Sequence, residues 1–189
     1  STGVILRKSS DGATVNYELG LNAGKPYVMF TPVTGNTALN RRVEAAFALD
    51  PATEWHHVAG VLSATTGTAG LWLYVDGQPM GRLVVGIDPR VADGSLTIGA
   101  ASQGFVGLVD EVRVWGIART TAQIGQRNNS TLAGTEAGLV AYFRMDDAEW
   151  VTQSASPYEQ AYGAEDFTQR NDFRASAIGH GAYAFIEDE

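Results

Sequence analysis

The stretch "LWLYVDGQPMG" at residues 71–81 restricts the fold more than any other part of the sequence. Aliphatic residues alternate with tryptophan and tyrosine from 71 to 75, which is the two-residue period of a β-strand. Asp76 and Gly77 follow, and an Asp-Gly pair suits the positive φ angles of a type I′ turn. The sequence therefore predicts a β-hairpin over 70–86, and a hairpin requires an antiparallel sheet.

The rest of the chain also consists of short strand-like segments separated by turn residues. Helical periodicity is nearly absent, and the 22 glycines help to separate short apolar runs. Turn signals spaced by roughly 8–12 residues are typical of an antiparallel sandwich or barrel. One short helix is expected, with Thr120 or Thr121 as N-cap before "AQIGQRN". The predicted strands are 3–7, 15–22, 26–31, 42–48, 55–62, 70–76, 80–86, 95–99, 105–115, 138–145 and 181–185.

Composition restricts the class of protein. A chain of 189 residues, 44% of them hydrophobic, can form one sizeable core, or one domain with an appendage. No apolar run approaches the roughly 18 residues that span a bilayer, and we predict no membrane insertion. The chain begins at Ser1 without a methionine, so we expect a fragment of a longer protein, which would hide any targeting signal. The absence of cysteine excludes disulfides and thiolate metal sites.

The charge distribution argues against a polyanionic partner. The formal net charge is −8, and no basic stripe is present. Nucleic-acid binding normally needs such a stripe, so nucleic acid and anionic membranes are not expected as partners. An acidic surface is compatible with cation binding.

Three further segments carry a family resemblance. "EWHHVAGVLSATTGTAGLWLYVDGQPMG" (54–81), "GSLTIGAASQGFVGLVDEVRVWGIARTTAQI" (94–124) and "GLVAYFRMDD" (138–147) together resemble the laminin-G-like, pentraxin-like (concanavalin A-like) jelly-roll domains of bacterial type. The resemblance covers roughly residues 3–147. It implies an all-β fold, a jelly-roll sandwich of two antiparallel sheets with one short helix. Because such domains include carbohydrate binders, adhesion modules and protein-binding modules, it is weak evidence for one function.

The resemblance also predicts how the chain is divided. We expect the sandwich over 1–147 and an irregular C-terminal segment over 148–189. Members of the family usually open with a strand that would lie just before Ser1 of this sequence. "IGHGAYAF", near the C-terminus, resembles the linker and strand found at that opening position in the family. We therefore hypothesise that residues 181–185 fill the vacant strand position, within the chain or by strand exchange in a dimer. An unfilled position would expose unpaired backbone groups.

Asp110 is the first candidate metal ligand. In "GLVDEVRVW" it falls in phase with Leu108, Val112 and Val114, so alternation places it near a buried face. A buried carboxylate is costly unless it is paired, hydrogen-bonded or bound to a cation. Similar jelly-roll glucanases have a calcium-binding aspartate in the matching "D-x-V-x-V" strand, which implies calcium here. Capping of turn N–H groups or pairing with an arginine is the open alternative.

Asp50, in "FALDPATEW", is the second candidate. Laminin-G-type modules that bind calcium at the sandwich rim use an aspartate just before the W-H strand. The resemblance thus makes Asp50 a calcium ligand, whereas Asp-Pro reads equally well as the start of a turn.

His56 and His57 are interpreted as structural residues. Adjacent strand residues point to opposite faces, so the two imidazoles cannot share one metal ion without distortion. Catalysis is not expected either. Similar glucanases carry paired carboxylates as E-x-D-x-E or E-x-D-x-x-E on one strand, and no such run is present. Neither G-x-S-x-G nor a phosphate-binding glycine motif occurs.

The aromatic residues suggest recognition. Most tryptophans are expected in the core, whereas Trp150 and Tyr158 lie in irregular sequence and are the candidate ligand-binding residues. We therefore expect a non-catalytic module that binds a glycan or an extracellular protein through rim loops, with calcium as candidate cofactor. It would belong to a larger secreted or cell-surface protein. The alternatives are a structural spacer or assembly module, and an accessory domain of a hydrolase.

Overall fold

The structure is a computed structural model. It describes the side chains and backbone of most of residues 2–145 and the backbone of a strand near the C-terminus. The described residues are 2–9, 14–33, 40–49, 55–65, 67, 69–84, 89, 94–99, 105–127, 130–145 and 181–188.

Two antiparallel sheets form the body of the domain. The five-stranded sheet has the order β4-β3-β2-β1-β8 and the six-stranded sheet the order β10-β9-β11-β5-β6-β7. All neighbouring strands of the described sheets pair in antiparallel fashion. One short helix, α1, is described at Thr121–Arg127. The predicted two-sheet jelly-roll sandwich with one short helix is thus confirmed. The strands are β1 (Gly3–Ser9), β2 (Val15–Asn22), β3 (Lys25–Phe30), β4 (Arg41–Glu44), β5 (His56–Ser63), β6 (Gly70–Val75), β7 (Gln78–Leu83), β8 (Leu96–Ile98), β9 (Gly107–Trp115), β10 (Leu139–Phe143) and β11 (Gly181–Asp188).

The predicted hairpin is β6 and β7. Val75 pairs with Gln78 across a two-residue loop, and Asp76 and Gly77 have φ angles of 49° and 75°. Both central residues with positive φ define the expected type I′ turn, whose twist matches that of the strands.

The core lies between the sheets and follows from strand alternation. Where the strands are regular, every second side chain points inward, and Leu19 and Phe30 of the first sheet belong to one cluster with Val58 and Leu73 of the second. At Gly60 the sheets approach closely, because an added Cβ would lie 2.4 Å from Val28 Cγ2.

The outer face of the six-stranded sheet carries a second apolar cluster. Trp115 and Tyr74 from the sheet pack with Ile124 of α1 and Leu132. Helix α1 begins in a reciprocal capping box. Gln123 N donates to Thr120 Oγ1 (3.3 Å), and Thr120 N donates to Gln123 Oε1 (3.0 Å), so Thr120 is the N-cap. The six-stranded sheet is therefore buried on both faces beneath the helix.

The alternation predicted for β9 is wrong in its first half. Leu108 is 49% exposed and Val109 packs against the core, whereas Val112 and Val114 are buried as expected. The cause is a bulge. Glu111 has a φ of 51°, and the pairing of β9 with β11 shifts by one residue between Tyr183 and Phe185. One extra residue in β9 moves the side chains that precede it, such as Leu108 and Val109, to the opposite face of the sheet.

Strand β11 lies in the middle of the six-stranded sheet. Ala182 pairs with Gly60 of β5 on one side and with Val114 of β9 on the other. Strands β5 and β9 therefore meet only through β11. The division of the chain at residue 147 remains a prediction.

Candidate functional site

Several strand ends and turns meet at one end of the sandwich. Phe105 N, just before β9, donates to Val4 O of β1 (3.3 Å), and Leu49 N donates to Gly24 O in the β2–β3 turn (2.9 Å). Asp76 N donates to His57 O (2.8 Å), which ties the β6–β7 turn to the start of β5. We call this end the rim. It consists of residues 23–24, 45–49, 55–57, 76–77 and 105–111.

Large apolar side chains are exposed at the rim. Phe47 is 51% exposed, Trp55 46%, Val106 66% and Leu108 49%. A single exposed apolar residue needs no explanation, but several on one end indicate a recognition surface. Ile186 of β11 pairs with both His56 and Val109, so Trp55 and Leu108 flank the next position along β11. Two strand spacings separate their backbones, about 10 Å.

Asp76 places a carboxylate beside this apolar group. Its side chain is 49% exposed. Oδ1 accepts a hydrogen bond from His57 N (2.9 Å), and Oδ2 lies 3.0 Å from His56 Nδ1. The aspartate thus fixes its own turn to the start of β5. A carboxylate can accept about four hydrogen bonds, so capacity remains on its solvent side.

The two adjacent histidines have different environments. His56 is held at Nδ1 by Asp76. His57 is 4% exposed, and burial, reinforced by the nearby charge of Arg113, lowers its pKa to about 4. Its imidazole is therefore neutral at pH 7.

Asp110 lies at the β9 bulge. Its Oδ1 accepts a hydrogen bond from Glu111 N (2.8 Å), the residue with positive φ. The carboxylate therefore caps a backbone N–H that the bulge takes out of the regular ladder. Within the described part of the chain, no group of three or more His, Asp or Glu side chains is placed to hold a metal ion. Calcium binding by Asp110 stays a prediction.

A buried polar network adjoins the rim on the outer face. Arg113 donates to Glu111 Oε2 (2.5 Å) and to Ser130 O, and Tyr142 OH donates to Glu111 Oε2 (2.6 Å). Leu132 N in turn donates to Tyr142 OH (3.1 Å). Burial, followed by the hydrogen bond to Glu111, raises the pKa of Tyr142 to about 12. This network anchors the segment after α1 and is structural.

The other predicted site residues, Asp50, Trp150 and Tyr158, lie outside the described residues. Trp55 was expected in the core, but it is exposed. It lies one residue before β5 begins, so its own strand register does not bury it. Leu108 faces it across β11; a strand was predicted at 181–185, but its register against β5 and β9 was not.

Comparison with known proteins identifies one relationship. A laminin-G-type family model, described as the concanavalin A-like lectin/glucanases superfamily, matches residues 1–125. No curated protein and no solved structure matches the chain. Among the described residues, no helix has the length and apolar character needed to cross a bilayer.

Proposed function

Because the chain belongs to the concanavalin A-like lectin/glucanase superfamily, we propose that it is a non-catalytic recognition module that binds a glycan through its rim. The observation that carries this proposal is the group of exposed apolar side chains at the rim, Trp55 and Leu108 above all, beside the exposed carboxylate of Asp76.

This combination of groups suits a sugar. One face of a pyranose ring is apolar and stacks on an indole, whereas its hydroxyl groups donate to carboxylates. Trp55 offers the ring, and Asp76 retains acceptor capacity beyond its bonds to His56 and His57. An extracellular protein that presents an apolar patch is the second ligand class that this surface fits.

The scaffold supports recognition more than chemistry. The rim residues are carried by strand ends and a two-residue turn, which hold their positions with little loss of entropy on binding. Glu111 and Glu18, which are carboxylates of the described sheets, are engaged by arginine and tyrosine partners. Such engaged carboxylates are poor candidates for the general acid and base of a glycosidase.

The proposal also includes a calcium ion at the rim and a larger parent protein. Calcium at the rim, with Asp110 and Asp50 as ligands, would order the loops or bridge to ligand hydroxyls. We place the module in a larger secreted or surface protein, where it serves adhesion or accompanies a hydrolase. The melting temperature of the protein, measured with calcium and again with a chelator, tests the calcium assignment. The same melting temperature in both conditions contradicts it.

The test of glycan binding is a glycan array followed by calorimetric titration of the best ligand. We expect Trp55→Ala to weaken binding about fivefold or more, because truncating an aromatic residue that carries binding energy costs more than about 1 kcal/mol and 1.4 kcal/mol is tenfold. The matched control is Val84→Ala, which removes a side chain 72% exposed just beyond the end of β7, away from the rim.

Two results would contradict the proposal. One is an array with no ligand at all. The other is equal loss of affinity in Trp55→Ala and Val84→Ala, because it would place the ligand away from the rim.

A further inference from the structure

Strand β11 fills a gap that the other strands leave open. It forms pairs with β5 from Gly181 to Ile186 and with β9 from Gly181 to Asp188. No direct pair joins β5 to β9 in the described sheets. Without residues 181–188 the sheet would separate into β10-β9 and β5-β6-β7, and both inner edges would present unpaired N–H and C=O groups. We call the space between β5 and β9 the slot.

The slot is flanked by deeply buried side chains of the sheet. Val58 and Ala59 on β5 and Val112 on β9 are each 0% exposed, and Val114 is 3% exposed. Opening the slot would bring these side chains towards water, at a cost of about 25 cal/mol per Å² of apolar surface. The slot therefore has to be occupied by a strand whenever the sandwich is formed.

The connection to β11 is long enough to reach a slot in a second copy of the chain. Strands β10 and β11 both run antiparallel to β9, so they are parallel to each other and their connection crosses β9. Crossovers of this kind need about a dozen residues, and positions 144–180 supply 37. At about 3.3 Å per residue they can span up to roughly 120 Å. The two strand ends in one copy lie only about 14 Å apart, two strand spacings and three residues.

From this geometry we infer that the slot is a strand-acceptor site and that residues 181–188 are a donor strand exchanged between copies of the chain. The donated strand makes the same backbone ladder in a neighbour as in its own copy, so exchange costs none of the pairs that this strand forms. The domain then links chains through its fold, independently of any ligand at the rim. A tethered strand meets its own slot at an effective concentration on the order of 1 mM, so self-closure prevails at micromolar concentrations.

A disulfide test reports directly which chain fills the slot. The chain has no cysteine, so two introduced cysteines can form a disulfide only with each other or with their copies in other chains. Val61 and Gly181 are cross-strand partners in β5 and β11, and directly opposed antiparallel residues have the Cα separation that a disulfide requires. Val61→Cys chains and Gly181→Cys chains are mixed in urea, dialysed together at 10 µM or 1 mM total chain, oxidised, and weighed by mass spectrometry.

We expect linked heterodimers whose yield rises about fifty-fold between 10 µM and 1 mM, as competition with a 1 mM effective concentration predicts. The double variant Val61→Cys/Gly181→Cys should form its disulfide within one chain at 10 µM. The matched control mixes Val61→Cys with Asp188→Cys, whose position lies about 23 Å away along β11 and should not link.

Three results would overturn the inference. The first is a disulfide in the double variant but none between mixed chains at 1 mM, since the strand then stays in its own slot. The second is no disulfide in the double variant, since the strand then does not occupy the slot. The third is equal linking in the Asp188→Cys control. If Val61→Cys does not fold by circular dichroism, the pair Ala59→Cys with Tyr183→Cys repeats the test in the same register.

Discussion

Protonation of His57 should destabilise the fold well above the pH at which carboxylates titrate. The imidazole is 4% exposed and neutral, with a pKa lowered to about 4 by burial and by the charge of Arg113. An unfolded chain restores the ordinary value of about 6.5. Between these two values the unfolded state binds the extra proton, so the free energy of unfolding falls as the pH falls.

The size of the effect follows from the two pKa values. A shift of about 2.5 units corresponds to about 3 kcal/mol once the pH lies below both values, at 1.36 kcal/mol per unit. More than half of this stabilisation is lost between pH 7 and pH 5, where the free energy of unfolding should drop by about 2 kcal/mol. Domains of this size are stable by only about 5–15 kcal/mol, so such a loss is readily measured.

Urea unfolding at pH 7, 6 and 5 measures this loss. Replacing His57 by glutamine removes the titrating group and keeps a buried polar side chain. We therefore expect His57→Gln to lose about 2 kcal/mol less than the wild type over this range, whatever its stability at pH 7. The control His180→Gln removes another histidine and leaves β5 intact. If the wild type and His57→Gln lose stability in parallel, the buried neutral imidazole is ruled out.

Two core substitutions test the packing of the sandwich. Gly60→Ala places a methyl group 2.4 Å from Val28 Cγ2, and we expect it to lower the free energy of unfolding by about 1–3 kcal/mol in urea titrations, whereas unchanged stability would mean that the sheets are further apart. Tyr17→Phe should instead raise it by about 1 kcal/mol, because the Tyr17 hydroxyl is buried without a hydrogen-bond partner in the described structure. Destabilisation on the same scale would reveal a bonded hydroxyl.

The fold was predictable from the sequence where the signals are local. Alternation over 71–75 and the Asp-Gly pair fix the β6–β7 hairpin. The start of α1 was predicted at Thr120 or Thr121, and the capping hydrogen bonds of the structure identify Thr120. Both features depend only on residues a few positions apart, so one sequence is enough to identify them.

The candidate site was less predictable because it depends on non-local pairing. The bulge at Glu111 reverses the phase of Leu108 and Val109, and nothing in "GLVDEVRVW" marks it. Trp55 and Leu108 flank the same position of β11, a strand that begins 126 residues after Trp55 and 73 residues after Leu108 along the chain. A strand-period argument assigns each residue to a face only while the register is uninterrupted.

The bulge and the helix together determine where the outer face is open. Helix α1 and the segment around Leu132 cover Tyr74, Trp115 and Tyr142, so that half of the six-stranded sheet is buried on both sides. Towards the rim this cover ends, and the reversed phase of β9 turns Leu108 outward, two strand spacings from Trp55 with β11 between them. Had β9 run without its extra residue, Val109 would face outward and Leu108 would pack inside. The bulge that interrupts the alternation in β9 therefore exposes Leu108, one of the two apolar side chains on which the proposed ligand site depends.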